Sequence, residues 1–271
     1  MERAIGVIDS GVGGLTVAQE LMRQLPKEKL VYLGDTKRCP YGSRTEEEVQ
    51  QFTWQMVDFL LTKNIKMLVV ACNTATAFTL PELQNKLSIP VVGVIQPGAR
   101  TAIKMTANNR IGVIGTEGTI QSRAYEQALN TIKTHIYIES LACPQLVPMV
   151  EQGMLSGYKA EQTVRESLAP LLMKNNIDTL ILGCTHYPLI KDTIQKVVGE
   201  EVTIVSSSEE TARETSTILD VHGLLYQGER EDKHAFYTTG DLEMFTAIAN
   251  GIFNQEVGHV PVVDCEKIVI H

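Results

Sequence analysis

The sequence predicts an α/β fold in which two similar doubly wound, mostly parallel-sheet domains face each other across a cleft. Three observations lead there. Short Val/Ile-rich runs alternate with segments of helical period, the pattern of parallel strands buried on both faces. Two separate motifs each occur twice at nearly the same spacing. A chain of 271 residues is also long enough for one large domain or two small ones.

In chain order, residues 5–8 (Ile-Gly-Val-Ile) read as the first strand. Leu15, Ala18, Leu21, Met22 and Leu25 then recur at helical spacing on one face, and Pro26 closes that helix. Residues 30–33 form the next apolar run. Further strands are expected at 67–71, 91–95, 111–114, 135–141, 180–183 and 202–205, with helical segments between most of them.

The repeat carries the most information. Ile5-Gly6-Val7-Ile8-Asp9-Ser10-Gly11 matches Ile111-Gly112-Val113-Ile114-Gly115-Thr116-Glu117, an offset of 106 positions. Val69-Val70-Ala71-Cys72-Asn73-Thr74 matches Ile181-Leu182-Gly183-Cys184-Thr185-His186, an offset of 112. Aliphatic strands align easily with one another, so the first match alone would mean little. A cysteine-bearing match at nearly the same offset points to internal duplication.

Composition narrows the function. The net charge is -8 and Lys and Arg are scattered among Asp and Glu, so no basic stripe is available for nucleic acid. Glu46-Glu47-Glu48 and Glu209-Glu210 read as solvated helix surfaces. There is no run of about 18 apolar residues to span a membrane, and the amino terminus runs into a strand without a leader pattern. The five cysteines are odd in number and widely spaced, with no C-x-x-C pair, which argues against a disulfide framework and a zinc ribbon. The expectation is a reduced, cytoplasmic protein with free thiols.

Ligands of open parallel sheets bind outside the carboxyl ends of the strands. Cys72 and Cys184 both fall where a strand ends and a helix should begin, with Pro188 suited to a first helical position. A thiol there feels the positive end of a helix dipole, which favours the thiolate. One cysteine could merely pack; two at equivalent points of a repeat suggest function. Two opposed thiols suit racemisation, in which a thiolate takes a proton from one face of a carbon and a thiol returns one to the other.

Asp9 ends the first strand and could assist the nearer thiol or cap a helix. His186, two residues past Cys184, could pair with it. Ser10, Asn73, Thr74, Thr76 and Thr185 offer hydroxyls and amides beside helix N-termini, groups that bind carboxylates without an arginine cluster. For Thr76, cap and ligand are equally open. Gly11-Val12-Gly13-Gly14 after a strand, with Asp35 ending the next, partly matches a dinucleotide fingerprint, but its third glycine falls on Thr16.

Asp9-Ser10-Gly11-Val12-Gly13-Gly14-Leu15, Cys39-Pro40-Tyr41-Gly42, Ala71-Cys72-Asn73-Thr74-Ala75, Cys143-Pro144 with Val150-Glu151, and Gly183-Cys184-Thr185-His186-Tyr187-Pro188 occur here in the order seen in bacterial glutamate racemases. From about residue 4 to about residue 240 the chain resembles that family. The resemblance implies Cys72 and Cys184 as the acid/base pair, with Asp9, Glu151 and His186 assisting. It implies substrate contacts at Asp9, Ser10, Tyr41, Gly42, Asn73, Thr74, Thr185 and His186. It also implies no pyridoxal phosphate and no metal, a small-molecule substrate (L- or D-glutamate), and supply of D-glutamate for peptidoglycan. The family is often dimeric. Its fold suggests a discontinuous first domain, 1–96 with 207–271, and a second at 97–206.

Lys37 and Cys39 read as tolerated variation, and the tail after about residue 240 says little. Two other readings stay open: a racemase of the same superfamily acting on aspartate or another amino acid, and a binding module for a nucleotide or amino acid.

Overall fold

The computed structural model describes residues 3–173, 176–228, 233–253 and 264–270. The outermost positions of the expected first domain, 1–2 and 271, and tail residues 254–263 lie outside the described residues. Among the described residues ten strands are formed: β1 (Ala4–Asp9), β2 (Leu30–Gly34), β3 (Ile65–Val70), β4 (Val91–Gly93), β5 (Arg110–Gly115), β6 (Tyr137–Ala142), β7 (Thr179–Gly183), β8 (Thr203–Ser206), β9 (Ala235–Thr238) and β10 (Asp264–Lys267). They make two sheets, one ordered β10-β9-β2-β1-β3-β4 and the other β6-β5-β7-β8. Every pairing is parallel.

The helices are α1 (Leu15–Gln24), α2 (Glu46–Thr62), α3 (Asn73–Lys86), α4 (Ile95–Met105), α5 (Glu117–Gln121), α6 (Ala124–Ile132), α7 (Leu146–Glu151), α8 (Tyr158–Met173), α9 (Lys191–Val198), α10 (Ser208–Val221) and α11 (Leu242–Phe253). They cover both faces of each sheet, so the central strands are buried along their length. Alternation within a strand divides the core. On β1, Ile5 and Val7 join one cluster with Leu15, Leu21 and Phe236, while Ile8 joins another with Met56 and Leu60. The second sheet repeats this, Leu180 and Leu182 of β7 packing on one face and Ile181 on the other. No described helix is long and apolar enough to cross a membrane.

Two strand boundaries move for local reasons. β4 stops at Gly93 because Ile95 already starts α4. β6 starts at Tyr137, since His135 adopts a left-handed backbone (φ 62) that breaks an extended run. β9, α11 and β10 were not expected. His234 to Thr239 carries a strand-like Ala-Phe-Tyr-Thr core, and β9 inserts between β2 and β10 to extend the first sheet. Below that sheet, the buried Lys66 Nζ lies 2.6 Å from Glu28 Oε2 and donates to the Leu224 carbonyl (2.7 Å), while Glu28 accepts from the Tyr226 backbone (2.8 Å). This pair ties the later chain to β3.

Candidate active site

Cys72 follows β3 and is the N-cap of α3, its Sγ accepting a hydrogen bond from Ala75 N at 3.4 Å. Cys184 follows β7. The expected helix after it is not an α-helix at first: Tyr187–Ile190 is a 3₁₀ turn, and α9 begins only at Lys191. Cys184 therefore lacks the helix-end setting of Cys72. Its neighbour is instead His186, with Nδ1 3.8 Å from Sγ.

The two thiols come from different sheets to one small cavity. Ser10, Tyr41, Gly42, Asn73, Thr74, Thr185 and His186, all read from the sequence, share its lining. The space enclosed is about 10 Å³, room for a single water molecule. The closure is tight because backbone meets backbone. A Cβ at Gly13 would lie 2.7 Å from the Thr185 carbonyl carbon and 2.8 Å from His186 N, so only glycine lets the first turn lie against the second half. Gly42 likewise has no room for a Cβ, because the Thr116 side chain lies against it.

Polar contacts bridge the halves. Thr185 Oγ1 donates to Asp9 Oδ1 (3.2 Å), whose Oδ2 accepts from Gly11 N (2.9 Å). Asp9 is thus both a turn residue and a link between sheets. The hydroxyls of Thr74, Thr116 and Thr119 form a ring with sides of 2.9, 3.1 and 3.0 Å. Tyr125 donates to Asn73 Oδ1 (2.8 Å), which fixes the amide, and Asn73 Nδ2 is left buried without a partner. A buried donor without a partner is costly until an acceptor arrives.

The electrostatics differ around the two thiols. Burial pushes the Cys72 thiol up to about 12, and the Asp9 carboxylate adds to this against the pull of the Ala75 N–H and the Ser10 hydroxyl. Burial raises Asp9 too, countered by His186 and by hydrogen bonds from Gly14, Gly11 and Thr185. At His186 burial works against the charged form, but contacts with Cys184, Cys39 and Glu151 outweigh it and hold the imidazole well above its ordinary value. Partial burial would raise Glu151, yet His186 holds it below the usual carboxylate range, and Nε2 and Oε1 lie 2.5 Å apart. Cys184 therefore faces an imidazolium paired to a carboxylate.

Three expectations change. Thr76 is not on the cavity wall: its hydroxyl donates to the Val70 carbonyl at 2.9 Å, so it belongs to the helix start rather than to the ligand. Tyr41 is on the wall, but its hydroxyl is held by Asp35 at 2.5 Å, and its contribution is the ring and the backbone. Asp35 also accepts from Arg38 Nε (2.5 Å) and Thr239 (2.7 Å) and is fully buried, out of reach of a ribose. That removes the acidic residue from the partial dinucleotide match. Sequence reasoning missed Thr116, Thr119 and Tyr125 as site residues, although the repeat had aligned Thr116 with Ser10. A larger cavity of about 970 Å³ opens beside Glu151, walled by α1, α11 and the chain around residues 150–156.

Paired thiols at equivalent strand ends of a duplicated parallel-sheet fold define a class. The Asp/Glu/Hydantoin racemase family model matches residues 5–215, and the chain belongs to that family; it is an amino-acid racemase. Its similar relatives are glutamate racemases. That of Oceanobacillus iheyensis is 68% identical over 255 residues, spanning 94% of this chain and 93% of that protein. The crystal structure of a glutamate racemase isoform from Bacillus anthracis superposes with a TM-score of 0.92 at 52% identity, covering 98% of this chain and 97% of that one. A glutamate racemase from Francisella tularensis, solved in complex with D-glutamate, gives a TM-score of 0.89 at 33% identity, covering 99% and 98%.

Proposed function

We propose that this racemase interconverts L- and D-glutamate by a two-base mechanism, with Cys72 on one side of the α-carbon and Cys184 on the other. The observation that carries the reading is the convergence of two thiols from opposite sheets on one closed cavity. In one direction a thiolate removes the α-proton and the opposite thiol delivers its own to the other face. The resulting state, with the roles exchanged, is ready for the reverse reaction, and no electrons leave or enter the site.

The surroundings supply the starting state. Burial and Asp9 keep Cys72 as the thiol. His186 Nδ1 stands 3.8 Å from Cys184 Sγ, within reach to exchange a proton with it, and Glu151 keeps His186 charged. A substrate carboxylate finds the unpartnered Asn73 amide, with the Ser10 hydroxyl on the same wall. These donors satisfy an anion in an acidic protein without arginine. Both proton carriers come from the chain itself. The two sheets are taken as the cores of two domains, 1–96 with 207–271 and 97–206, in a cytoplasmic enzyme supplying D-glutamate for peptidoglycan.

The test is incubation of dialysed protein with L-glutamate in deuterated buffer, following optical activity by circular dichroism and the α-proton by NMR. Racemisation with deuterium entering the α-position is expected. Activity on L-aspartate but not glutamate would keep the chemistry and move the substrate. No exchange with any acidic amino acid would overturn the reading.

A further inference from the structure

Cys39 is a third thiol beside the site, outside the proposed proton transfer. Its Sγ donates to Glu151 Oε1 at 3.7 Å, and Glu151 in turn meets His186 Nε2 at 2.5 Å. One sulfur, one imidazole nitrogen and one carboxylate oxygen thus all lie within 4.8 Å of one another. We infer that Cys39, Glu151 and His186 form an inhibitory site for a thiophilic divalent cation of the zinc class.

The donor set argues for that class. Sulfur with imidazole and carboxylate suits zinc or cadmium and not the hard cations, which take oxygen. With metal bonds of about 2.3 Å to sulfur and about 2.1 Å to oxygen, tetrahedral neighbours stand roughly 3.6 Å apart. The Cys39–Glu151 spacing of 3.7 Å already has this value. The His186–Glu151 spacing must open by roughly an ångström. Glu151 is the last residue of α7 and its side chain is 23% exposed, so it has room to swing.

Space and access are also present. A Cβ at Gly11 would lie 3.0 Å from Cys39 Sγ and 3.3 Å from Glu151 Oε1, so this glycine keeps the cradle clear. Cys39 is only partly buried, and Glu151 borders the 970 Å³ cavity, which gives an ion a route in. With Nε2 on the metal, Nδ1–H still points to Cys184, and such an outer partner fixes the ring of a ligating histidine.

Binding forms sulfur–metal, nitrogen–metal and oxygen–metal bonds and releases the thiol and imidazolium protons to solvent; nothing is oxidised. It also takes the imidazolium away from Cys184. Inhibition therefore rests on the proposed mechanism, whereas binding does not.

Metal-free protein is titrated with Cd²⁺, without substrate, and the ultraviolet thiolate-to-cadmium band is read. One cadmium per chain with that band is expected. Cys39→Ser should lose the band and weaken binding at least about tenfold, while Glu151→Gln weakens binding with the band retained. In parallel, Zn²⁺ should inhibit racemisation reversibly, a chelator should restore it, and Cys39→Ser, measured against its own zinc-free activity, should need at least about tenfold more zinc. An unchanged cadmium band in Cys39→Ser, or equal zinc sensitivity, would overturn the site. Because cadmium is read without glutamate, that result stands apart from the identity of the substrate.

Discussion

The two halves of this molecule bring a thiol to the same point by the same route and then surround it differently. In the first, Cys72 caps a fourteen-residue helix and has the buried Asp9 for a neighbour. In the second, Cys184 is followed by a 3₁₀ turn and has an imidazole paired to Glu151. The repeat aligns Asp9 with Gly115 and Thr74 with His186, so each half has an ionisable helper where its counterpart has none. Duplication explains why the thiols oppose each other. Divergence at two aligned positions gives Cys72 an acidic neighbour that favours its thiol and gives Cys184 an imidazole.

The comparison breaks most completely if either thiol is removed. Cys72→Ala and Cys184→Ala should each abolish racemisation in both directions, measured by circular dichroism with each enantiomer. Near-full activity in either would end the two-base account. Next, His186→Asn should lower kcat by about 10²- to 10⁴-fold, the range for loss of a group assisting proton transfer. The aligned Thr74→Ala should act mainly on KM, since Thr74 belongs to the hydroxyl ring. Equal effects on the same parameter would erase the distinction.

Stability sharpens it further. Glu28→Ala leaves the Lys66 ammonium buried without its carboxylate and should cost about 3–5 kcal/mol in denaturant unfolding. Gly13→Ala should cost about 1–3 kcal/mol by overpacking and should lower activity as well, because it drives the first turn off Thr185 and His186.

The smallest effect is in pH. His186 is raised above 6.5, so its contribution to stability is complete below that pH and fades as pH climbs through the raised folded value. Glu151 is lowered from 4.5, so its contribution is present above 4.5 and fades as pH falls through the depressed value. The Tm difference between unsubstituted protein and Glu151→Gln should be widest between those pH values. In the first half the raised Cys72 makes stability fall as pH rises from 9 towards about 12, and Cys72→Ala should make that slope shallower. A pH-independent Tm difference for Glu151→Gln would mean that the histidine–glutamate pair is not ionic.

Much of this was legible in the residues. Parallel strands buried on both faces show as plain aliphatic runs, and the cysteines stood out because they repeat. What could not be read was the way side chains choose partners across the halves. Thr76 and Thr74 are both hydroxyls in the first turn of α3, yet one turns back to Val70 and the other reaches Thr116. Tyr125 lies on α6, far along the chain from the Asn73 amide it orients. Helix type after Cys184 was equally hidden, since Pro188 suits the start of a 3₁₀ turn as well as of an α-helix. β9 and β10 escaped notice because they are short and are completed by distant pairing, β9 with β2 from the start of the chain and β10 with β9.

That last feature sets an order of assembly. All four strands of the second sheet lie between Arg110 and Ser206, in one unbroken stretch. The first sheet must wait, because Val31 of β2 pairs with Ala235 of β9 and β10 adds beyond it. Closing so long a loop slows folding, and contacts local in the chain form sooner. On a ribosome, the wall bearing Cys184 can therefore be finished while the wall bearing Cys72, made earlier, still lacks its outer strands.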